Sequence, residues 1–353
     1  MRSWTAPQVP TLPGRGIVPL LHDSASGARV AVTGLRARLY VCGVTPYDAT
    51  HLGHAATYVT FDVLLRAWRD AGLQIGYVQN VTDVDDPLLV RATRDGRRWQ
   101  DLAAEQIELF RTDMAALRVI PPDSLVGAVE AIPAIMRRIQ DLVVAGSAYS
   151  LDSDVYYSVD ADQDFGYVSH LTDADMVAVF AANGGDPERV GKKNPLDPLL
   201  WRGERPGEPA WESPLGRGRP GWHIECATIA LDALGSTIDV QGGGRDLVFP
   251  HHEMSAANAE TLTGVHPFAA CYTHVGMVRL GGDKMSKSRG NLEFVHRLLD
   301  VGTDPLAIRL ALLAEPYGSD RDWNDQVLAG ATDRLTTWRL AVRAASGPAT
   351  APV

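Results

Sequence analysis

The chain has 353 residues, 45% of them hydrophobic, which suffices for a sizeable core and two or three domains. The formal net charge of −10 disfavours a large nucleic-acid footprint, which needs a basic face. An odd count of three cysteines, Cys42, Cys226 and Cys271, is not a disulfide framework and favours a reducing cytoplasm. The first sixteen residues lack the apolar segment of a signal peptide, and no apolar run is long enough to span a bilayer.

The first third of the chain predicts a β-α-β unit. Residues 1–35 are rich in proline and glycine and predict irregular structure, with room for one short strand. A buried strand at Leu39–Val41, a helix at about 53–71 and a strand at Tyr77–Val78 follow, which starts a parallel sheet. The apolar residues of that helix share one face: Tyr58, Phe61, Leu65 and Trp68.

The middle of the chain predicts an inserted region. Helices are expected at 99–117 and 125–146, and residues 148–170 alternate like a small hairpin. We interpret 121–205 as an α+β insertion that separates 1–120 from 206–298, the two halves of a nucleotide-binding domain.

The second half predicts a helix at 222–234, a strand at 238–240, a turn at 242–244, a helix after Pro250 and a strand at 272–280. Residues 299–353 predict a C-terminal helical region, and its last helix, 324–345, carries an apolar face that needs a partner. That face consists of Leu328, Ala331, Leu335, Trp338 and Val342.

Two segments have the chemistry of polyphosphate binding. Residues 282–291 place Lys284 and Lys287 on a loop flanked by glycines, where the backbone can wrap an anion and the lysines can neutralise it. Far upstream, His51 and His54 open a helix, whose free N–H groups and dipole favour phosphate. Alone, the lysine run is also compatible with a solvated basic loop. Together, the segments resemble the HIGH and KMSKS signatures of class I aminoacyl-tRNA synthetases.

Cys42 follows a strand, Cys226 lies early in a helix and His251 lies at a helix start. Two thiolates and an imidazole suit a zinc ion with an open fourth position. Without a Cys-x-x-Cys pair, the spacing leaves open that each cysteine is a small buried hydrophobe.

Four segments, 40–43, 80–86, 221–226 and 249–253, closely resemble cysteinyl-tRNA synthetases, and the likeness extends over about 40–325. The resemblance implies an α/β fold: a Rossmann-like parallel sheet of the class I synthetase (HUP) type, an inserted α+β region and C-terminal helices. It also implies that Cys42, Cys226 and His251 hold a zinc ion that binds the thiolate of a cysteine substrate.

Other positions depart from the synthetase pattern. Ser255 replaces a glutamate ligand and Pro87 a lysine, and little chain follows residue 325. These departures, with segments 54–58, 80–88 and 184–187, resemble the cysteine ligases of mycothiol biosynthesis. That family carries a further short helical region, which leaves open that this chain is trimmed.

The second resemblance implies an enzyme whose substrates are small molecules: L-cysteine, ATP with Mg²⁺ and glucosaminyl-inositol. Neither a nucleic acid nor a membrane is expected as a partner, and the enzyme is expected to be a monomer. Cysteine would be activated as its adenylate and transferred to the sugar amine. The alternatives are a cysteinyl-tRNA synthetase, or a catalytic-core fragment of one, and a non-catalytic sensor. The intact His51, His54, Lys284 and Lys287 favour catalysis.

The resemblance also implies roles for single residues. His51, His54, Lys284 and Lys287 would bind ATP and stabilise the leaving pyrophosphate. Asp246 is either a general base for the amine or a backbone cap, and the roles of His252, Glu253 and the acidic run 83–86 stay open between site and capping functions. The adenylate pocket would be lined by Cys42, Gly43, Val44, Thr45, Thr57, Asn80, Val81, Thr82, Trp222, Gly244, Arg245, Asp246 and Val278.

Overall fold

The computed structural model describes residues 1–284 and 291–345, and its centre is a five-stranded parallel sheet. The strands lie in the order β11-β10-β3-β4-β5. The expected Rossmann-like α/β fold is therefore confirmed. The strands are β3 (Arg36–Val44), β4 (Gln74–Val81), β5 (Ser124–Gly127), β10 (Val240–Gly244) and β11 (Tyr272–Val275).

The described residues also form three smaller sheets. A hairpin near the N-terminus pairs β1 (Leu21–His22) with β2 (Arg29–Val30). An antiparallel sheet contains, in order, β6 (Ala148–Leu151), β7 (Asp154–Tyr157), β8 (Leu199–Gly203) and β9 (Gly218–Pro220). The third places β12 (Val278–Leu280) between β13 (Asp283–Lys284) and β14 (Arg321–Trp323).

The helices cover the sheets and follow local signals in the sequence. Asp85 caps the second helix and Asp304 caps the ninth, and each of these helices has a proline in its first turn. In chain order, the helices are α1 (Leu52–Asp70), α2 (Asp86–Arg94), α3 (Trp99–Ala116), α4 (Ala128–Val144), α5 (Asp173–Ala182), α6 (Trp222–Leu234), α7 (Glu253–Thr263), α8 (Val295–Asp300), α9 (Pro305–Leu312) and α10 (Asp325–Ala345).

The chain leaves β3 toward β4 and β5 on one side and returns through β10 and β11 on the other. Such a reversal opens a crevice at the carboxyl ends of the strands, where open α/β sheets bind ligands. The predicted apolar face of α1 is fully buried against this sheet, and Phe61 lies over Gly242 of β10. The fold thus places the end of β3 and the start of α1 at the expected binding crevice.

Several predicted boundaries differ from the structure. Residues 242–244 are not a turn but the end of β10, because they pair with β11. The strand expected at 272–280 divides into β11 and β12, which belong to different sheets. The hairpin β1–β2 forms where irregular structure was expected.

The predicted insertion also has different structural limits. Residues 124–127, inside the expected 121–205, are strand β5 of the central sheet. The antiparallel sheet of the insertion continues to Pro220, beyond 205, because β9 pairs with β8. The small hairpin predicted at 148–170 is present as β6 and β7.

The last helix packs on α9 by part of its apolar face. Ala331 and Leu335 are buried, whereas Trp338 and Val342 are 55% and 67% exposed. Over residues 1–284 and 291–345, none of the helices combines the length and the hydrophobicity that spanning a bilayer requires.

Candidate active site

The N-terminus of α1 lies after the end of β3, and His51 is its capping residue. The Nδ1 atom of His51 accepts hydrogen bonds from the backbone N–H groups of Gly53 at 3.1 Å and His54 at 3.4 Å. The rings of His51 and His54 stack with centroids 3.6 Å apart. The two histidines therefore form one surface at a helix N-terminus, whose dipole favours a phosphate. The N–H groups of Gly53 and His54, which were expected to be free, are instead bonded to His51.

Cys42, Cys226 and His251 meet near the carboxyl end of β3. Their ligand atoms all lie within 4.8 Å of one another, and all three side chains are buried. Cys42 comes from β3, Cys226 from the first turns of α6, and His251 from the helical segment Val248–His252 that leads into α7. Three soft or borderline donors from separate elements match the ligand set of a zinc site with an open position.

The electrostatics of this cluster suit a cation. Burial, together with the neighbouring Cys42, raises the pKa of the Cys226 thiol well above its ordinary value. Burial and the nearby His223 lower the pKa of His251, so its imidazole is neutral and its lone pair is available. A divalent ion would reverse the thiol's preference, because a coordinated thiol is deprotonated. The residues present therefore fit zinc.

Two further histidines contact the cluster. The Nδ1 atoms of His223 and His251 are 3.1 Å apart, so one nitrogen donates to the other. His252 Nε2 lies 3.3 Å from Cys42 Sγ. Burial lowers the pKa of His223 to about 3. Sequence reasoning gave His223 no role and left His252 open, although both lie within the motif segments 221–226 and 249–253.

Ser255, where cysteinyl-tRNA synthetases are expected to have a glutamate ligand, does not join the cluster. Its hydroxyl donates to the backbone carbonyl of His223 at 3.2 Å, on α6. This hydrogen bond therefore joins α7 to α6, and three candidate ligands remain for a metal ion.

Asn80 and Thr82 converge on a buried carboxylate that the sequence did not single out. Glu225 Oε1 accepts hydrogen bonds from Asn80 Nδ2 at 2.8 Å and from the Thr82 hydroxyl at 2.9 Å. Burial raises the pKa of Glu225 to about 8, against the opposing effect of these two bonds. The available signal was a charged residue directly before Cys226, in a helix whose other residues are mostly apolar.

The oxygen of the Asn80 side-chain amide is bonded to the backbone of β3. Asn80 Oδ1 accepts the backbone N–H of Gly43 at 2.7 Å. A side chain at Gly43 would meet the Asn80 carbonyl oxygen at 1.7 Å, so only glycine fits this close approach. Val44 and Val81 are partners in the β3–β4 ladder and are buried beside this bridge.

The remaining predicted pocket residues lie on several elements. Trp222 stacks on the His251 ring with centroids 4.3 Å apart and is half-buried. The Thr57 hydroxyl donates to the Gly53 carbonyl within α1, and Val278 is buried in β12. Thr45 is half-buried just beyond β3.

The segment after β10 is held by its neighbours. Gly244 ends β10, and Arg245 and Asp246 are exposed in the short helical turn Arg245–Leu247. The Arg245 guanidinium pairs with Asp320 at 2.7 Å and also donates to the Gly318 carbonyl. Its side chain is therefore engaged with protein, whereas resemblance implied the adenylate pocket.

Of the two predicted lysines, Lys284 lies in β13, whose backbone pairs with Arg279 of β12. Lys287 lies outside the described residues. The strand pair β12–β13 thus carries the chain into the lysine loop.

The residues whose roles stayed open have structural partners. Glu253 accepts the backbone N–H groups of Gly166 at 2.9 Å and Ser169 at 2.8 Å, which attaches α7 to the insertion. In the acidic run, Asp83 accepts from the Val129 N–H and Asp85 caps α2. Cys271 is buried and contacts Thr273, as expected for a core residue.

Comparison with known proteins assigns the chain to a family. The family model described as the tRNA synthetases class I (C) catalytic domain matches residues 29–333. An L-cysteine:1D-myo-inositol 2-amino-2-deoxy-alpha-D-glucopyranoside ligase from Thermomonospora curvata is 58% identical over 100% of this chain and 87% of its own. The ligase of that name from Streptomyces griseus subsp. griseus is 59% identical over 99% and 86%.

Solved structures agree on the fold. Mycobacterium tuberculosis methionyl-tRNA synthetase, in complex with methionyl-adenylate, matches with a TM-score of 0.65 over 84% of this chain and 67% of its own. At 16% identity, this likeness concerns the fold alone.

Proposed function

The chain belongs to the class I (C) tRNA synthetase catalytic-domain family, and on this premise we propose that it is an ATP-dependent cysteine ligase. It activates L-cysteine as cysteinyl-AMP and transfers the cysteinyl group to the amine of glucosaminyl-inositol. The observation that carries the proposal is the buried cluster of Cys42, Cys226 and His251 at the binding crevice, in a chain 58% identical to a ligase named for these substrates.

In the first half-reaction, the cysteine carboxylate attacks the α-phosphorus of ATP. A bond from carboxylate oxygen to phosphorus forms, and the bond to the bridging oxygen breaks and releases pyrophosphate. Such a transfer needs positioning and charge stabilisation more than covalent catalysis. The stacked His51 and His54 lie at the α1 N-terminus, where they bind the phosphates, while Lys284 and Lys287 neutralise the leaving pyrophosphate with the Mg²⁺ that accompanies ATP.

The thiol of the substrate is selected at the three-residue cluster. Cys42, Cys226 and His251 would hold a zinc ion, which would supply a Lewis-acidic site that prefers a thiolate to a hydroxyl. The protein orients these ligands through hydrogen bonds and keeps them dry, since all three are buried. Serine lacks the thiolate that this site is built to bind, so it is rejected without an editing step.

Behind the ligands, Glu225 connects the metal site with the nucleotide pocket. It lies next to Cys226 on α6 and accepts hydrogen bonds from Asn80, near the end of β4, and from Thr82, just after β4. In this proposal both residues line the adenylate pocket. The Asn80 amide in turn fixes Gly43, directly after Cys42. One chain of bonds thereby sets the position of the sulfur of cysteine relative to its carboxylate.

In the second half-reaction, the sugar amine attacks the carbonyl carbon of the adenylate. An amide bond forms, AMP leaves and the amine gives up a proton. Asp246 is exposed in the turn that follows β10 and serves as the base that accepts it. We place the enzyme in the cytoplasm, where a reducing environment keeps its buried thiols free. We propose that it acts there as a monomer.

The deciding experiment incubates the protein with cysteine and ATP·Mg²⁺ and compares two acceptors, glucosaminyl-inositol and tRNA, by AMP release and product mass. Amide formation with the sugar and no charged tRNA is the expected result. Charging of tRNA without acylation of the sugar would refute the proposal. Replacing cysteine by serine should abolish AMP release with either acceptor.

A further inference from the structure

A line of buried hydrogen bonds extends outward from Cys42. Cys42 Sγ lies 3.3 Å from His252 Nε2, and His252 Nδ1 lies 2.8 Å from His274 Nε2. His274 Nδ1 lies 2.7 Å from the hydroxyl of Ser24. Cys42, His252 and His274 are each less than 8% exposed. The contacts use both ring nitrogens of both imidazoles.

Donor and acceptor chemistry fixes the direction of every bond once the sulfur is a thiolate and both rings are neutral. A thiolate only accepts, so His252 carries its proton on Nε2 and donates it to Cys42. The Nδ1 atom of a neutral His252 then accepts, so His274 donates from its own Nε2. His274 Nδ1 must accept in turn, and the Ser24 hydroxyl is a donor that can satisfy it. One proton arrangement satisfies all four groups without a charge on either ring.

The last member comes from a part of the chain far from the other site residues. Ser24 follows β1 in the hairpin at the N-terminus. The Ser24 N–H donates to the Tyr272 carbonyl at 2.8 Å, and Asp23 accepts the Tyr272 N–H at 2.8 Å. The hairpin is thus attached to β11, two residues before His274, and the hydroxyl is held in place.

We propose that Ser24, His274 and His252 are positioning residues that orient Cys42 as a metal ligand, so that the N-terminal hairpin supports the metal site. The inference rests on the zinc site of the proposed function. Outer partners of this kind fix the orientation of a ligand and its donor strength, and their loss typically costs roughly 10- to 100-fold in metal affinity.

The test measures the zinc dissociation constant of the full chain by competition with a chromophoric chelator. His274→Leu removes the donor and should weaken zinc binding by about 10-fold. His274→Gln should recover most of the affinity, because a glutamine amide nitrogen occupies the place of Nε2. The Ser24→Ala variant should bind zinc less tightly than Ser24→Thr. Ser26→Ala, in the same turn and with its hydroxyl bonded to Asp23 and to the Ala28 N–H, is the matched control and should bind like the parent.

A second measurement does not depend on a change in zinc affinity. Long-range ¹H–¹⁵N spectra of the zinc-loaded protein should show His252 and His274 neutral, with the proton on Nε2 in each. A proton on Nδ1 of either ring, or equal zinc affinity in His274→Leu and the parent, overturns the inference and leaves the ligase function intact. A zinc-loaded parent that shows these tautomers but forms no amide refutes the ligase function and leaves the chain of bonds standing.

Discussion

The guanidinium of Arg245 is bound to the carboxylate of Asp320 across 2.7 Å, which joins the turn after β10 to the residue before β14. Asp320 also accepts from Arg279 at 2.9 Å and from the Met277 N–H at 3.0 Å. Burial would raise the pKa of Asp320, but the Met277 N–H and the two guanidinium groups hold it below its ordinary value. One carboxylate therefore links the segment of Asp246 to β12, which leads to the lysine loop.

Asp320→Asn should impair activation of cysteine. The amide cannot pair with both guanidinium groups, so the β10 turn and β12 lose their common anchor. We expect ATP–pyrophosphate exchange to fall roughly 10-fold, with a higher KM for ATP and an unchanged zinc content, since misplacement of catalytic groups is costly.

The matched control for this change is Asp232→Asn, which removes the surface ion pair with Arg138 at 2.9 Å between α6 and α4. Surface pairs contribute about 0–1 kcal/mol, so this variant should exchange pyrophosphate like the parent. Equal exchange rates in both variants would show that Asp320 does not connect the two segments.

Cys226→Ser should lower both zinc content and the use of cysteine. A serine hydroxyl is a poor zinc ligand, so metal affinity should fall and the KM for cysteine should rise by at least 10-fold, while the KM for ATP changes little. Metal analysis and steady-state kinetics measure the two effects. Cys271→Ser, at a buried cysteine outside the cluster, should keep full zinc content. Full metal and normal cysteine kinetics in Cys226→Ser would contradict the assignment.

Local patterns in the sequence were sufficient to predict much of the fold. The period of α1, the limits of α6 at 222–234 and the hairpin β6–β7 all depend on neighbouring residues, and each is present. Strand β5 was not predicted because its four residues carry no alternation of their own and are specified by pairing with β4. The triglycine at 242–244 has turn composition, yet neighbouring strands hold it extended in β10.

The candidate site shows the same division. Sequence motifs pointed to Cys42, Cys226 and His251, which the structure brings together. Their outer partners could not be read from the sequence, because the contacts join distant segments: Ser24 lies 250 residues from His274 and Glu225 lies 145 from Asn80. A lone histidine or glutamate in a helical pattern has no sequence signal for such a partner.

Asp113 should make the protein less stable as the pH rises. This carboxyl on α3 is buried, and burial raises its pKa to about 7 despite the opposing effect of Thr50. In the unfolded chain the pKa is about 4, so the folded state binds more protons between pH 4 and 7. The stability associated with Asp113 is complete below about pH 4 and is lost as the pH rises through 7.

Asp113→Asn should remove this dependence. Urea unfolding measures the free energy of unfolding at pH 5 and at pH 8. Between these two pH values, the parent should lose on the order of 2 kcal/mol more of this free energy than the variant. Asp141→Asn, on the exposed side of α4, should follow the parent. Parallel curves for the parent and Asp113→Asn would mean that Asp113 ionises normally in the fold.

Asp246→Asn should separate the two half-reactions. If Asp246 accepts the proton of the attacking amine, the variant should form cysteinyl-AMP at a rate within about threefold of the parent, while amide formation falls by roughly 10²- to 10⁴-fold. Single-turnover transfer from preformed adenylate to glucosaminyl-inositol measures the second step directly. Because the free amine becomes more abundant at high pH, the variant should recover part of its transfer rate as the pH rises. An equal loss in both half-reactions, with no recovery, would instead identify Asp246 as a residue that only holds the turn after β10.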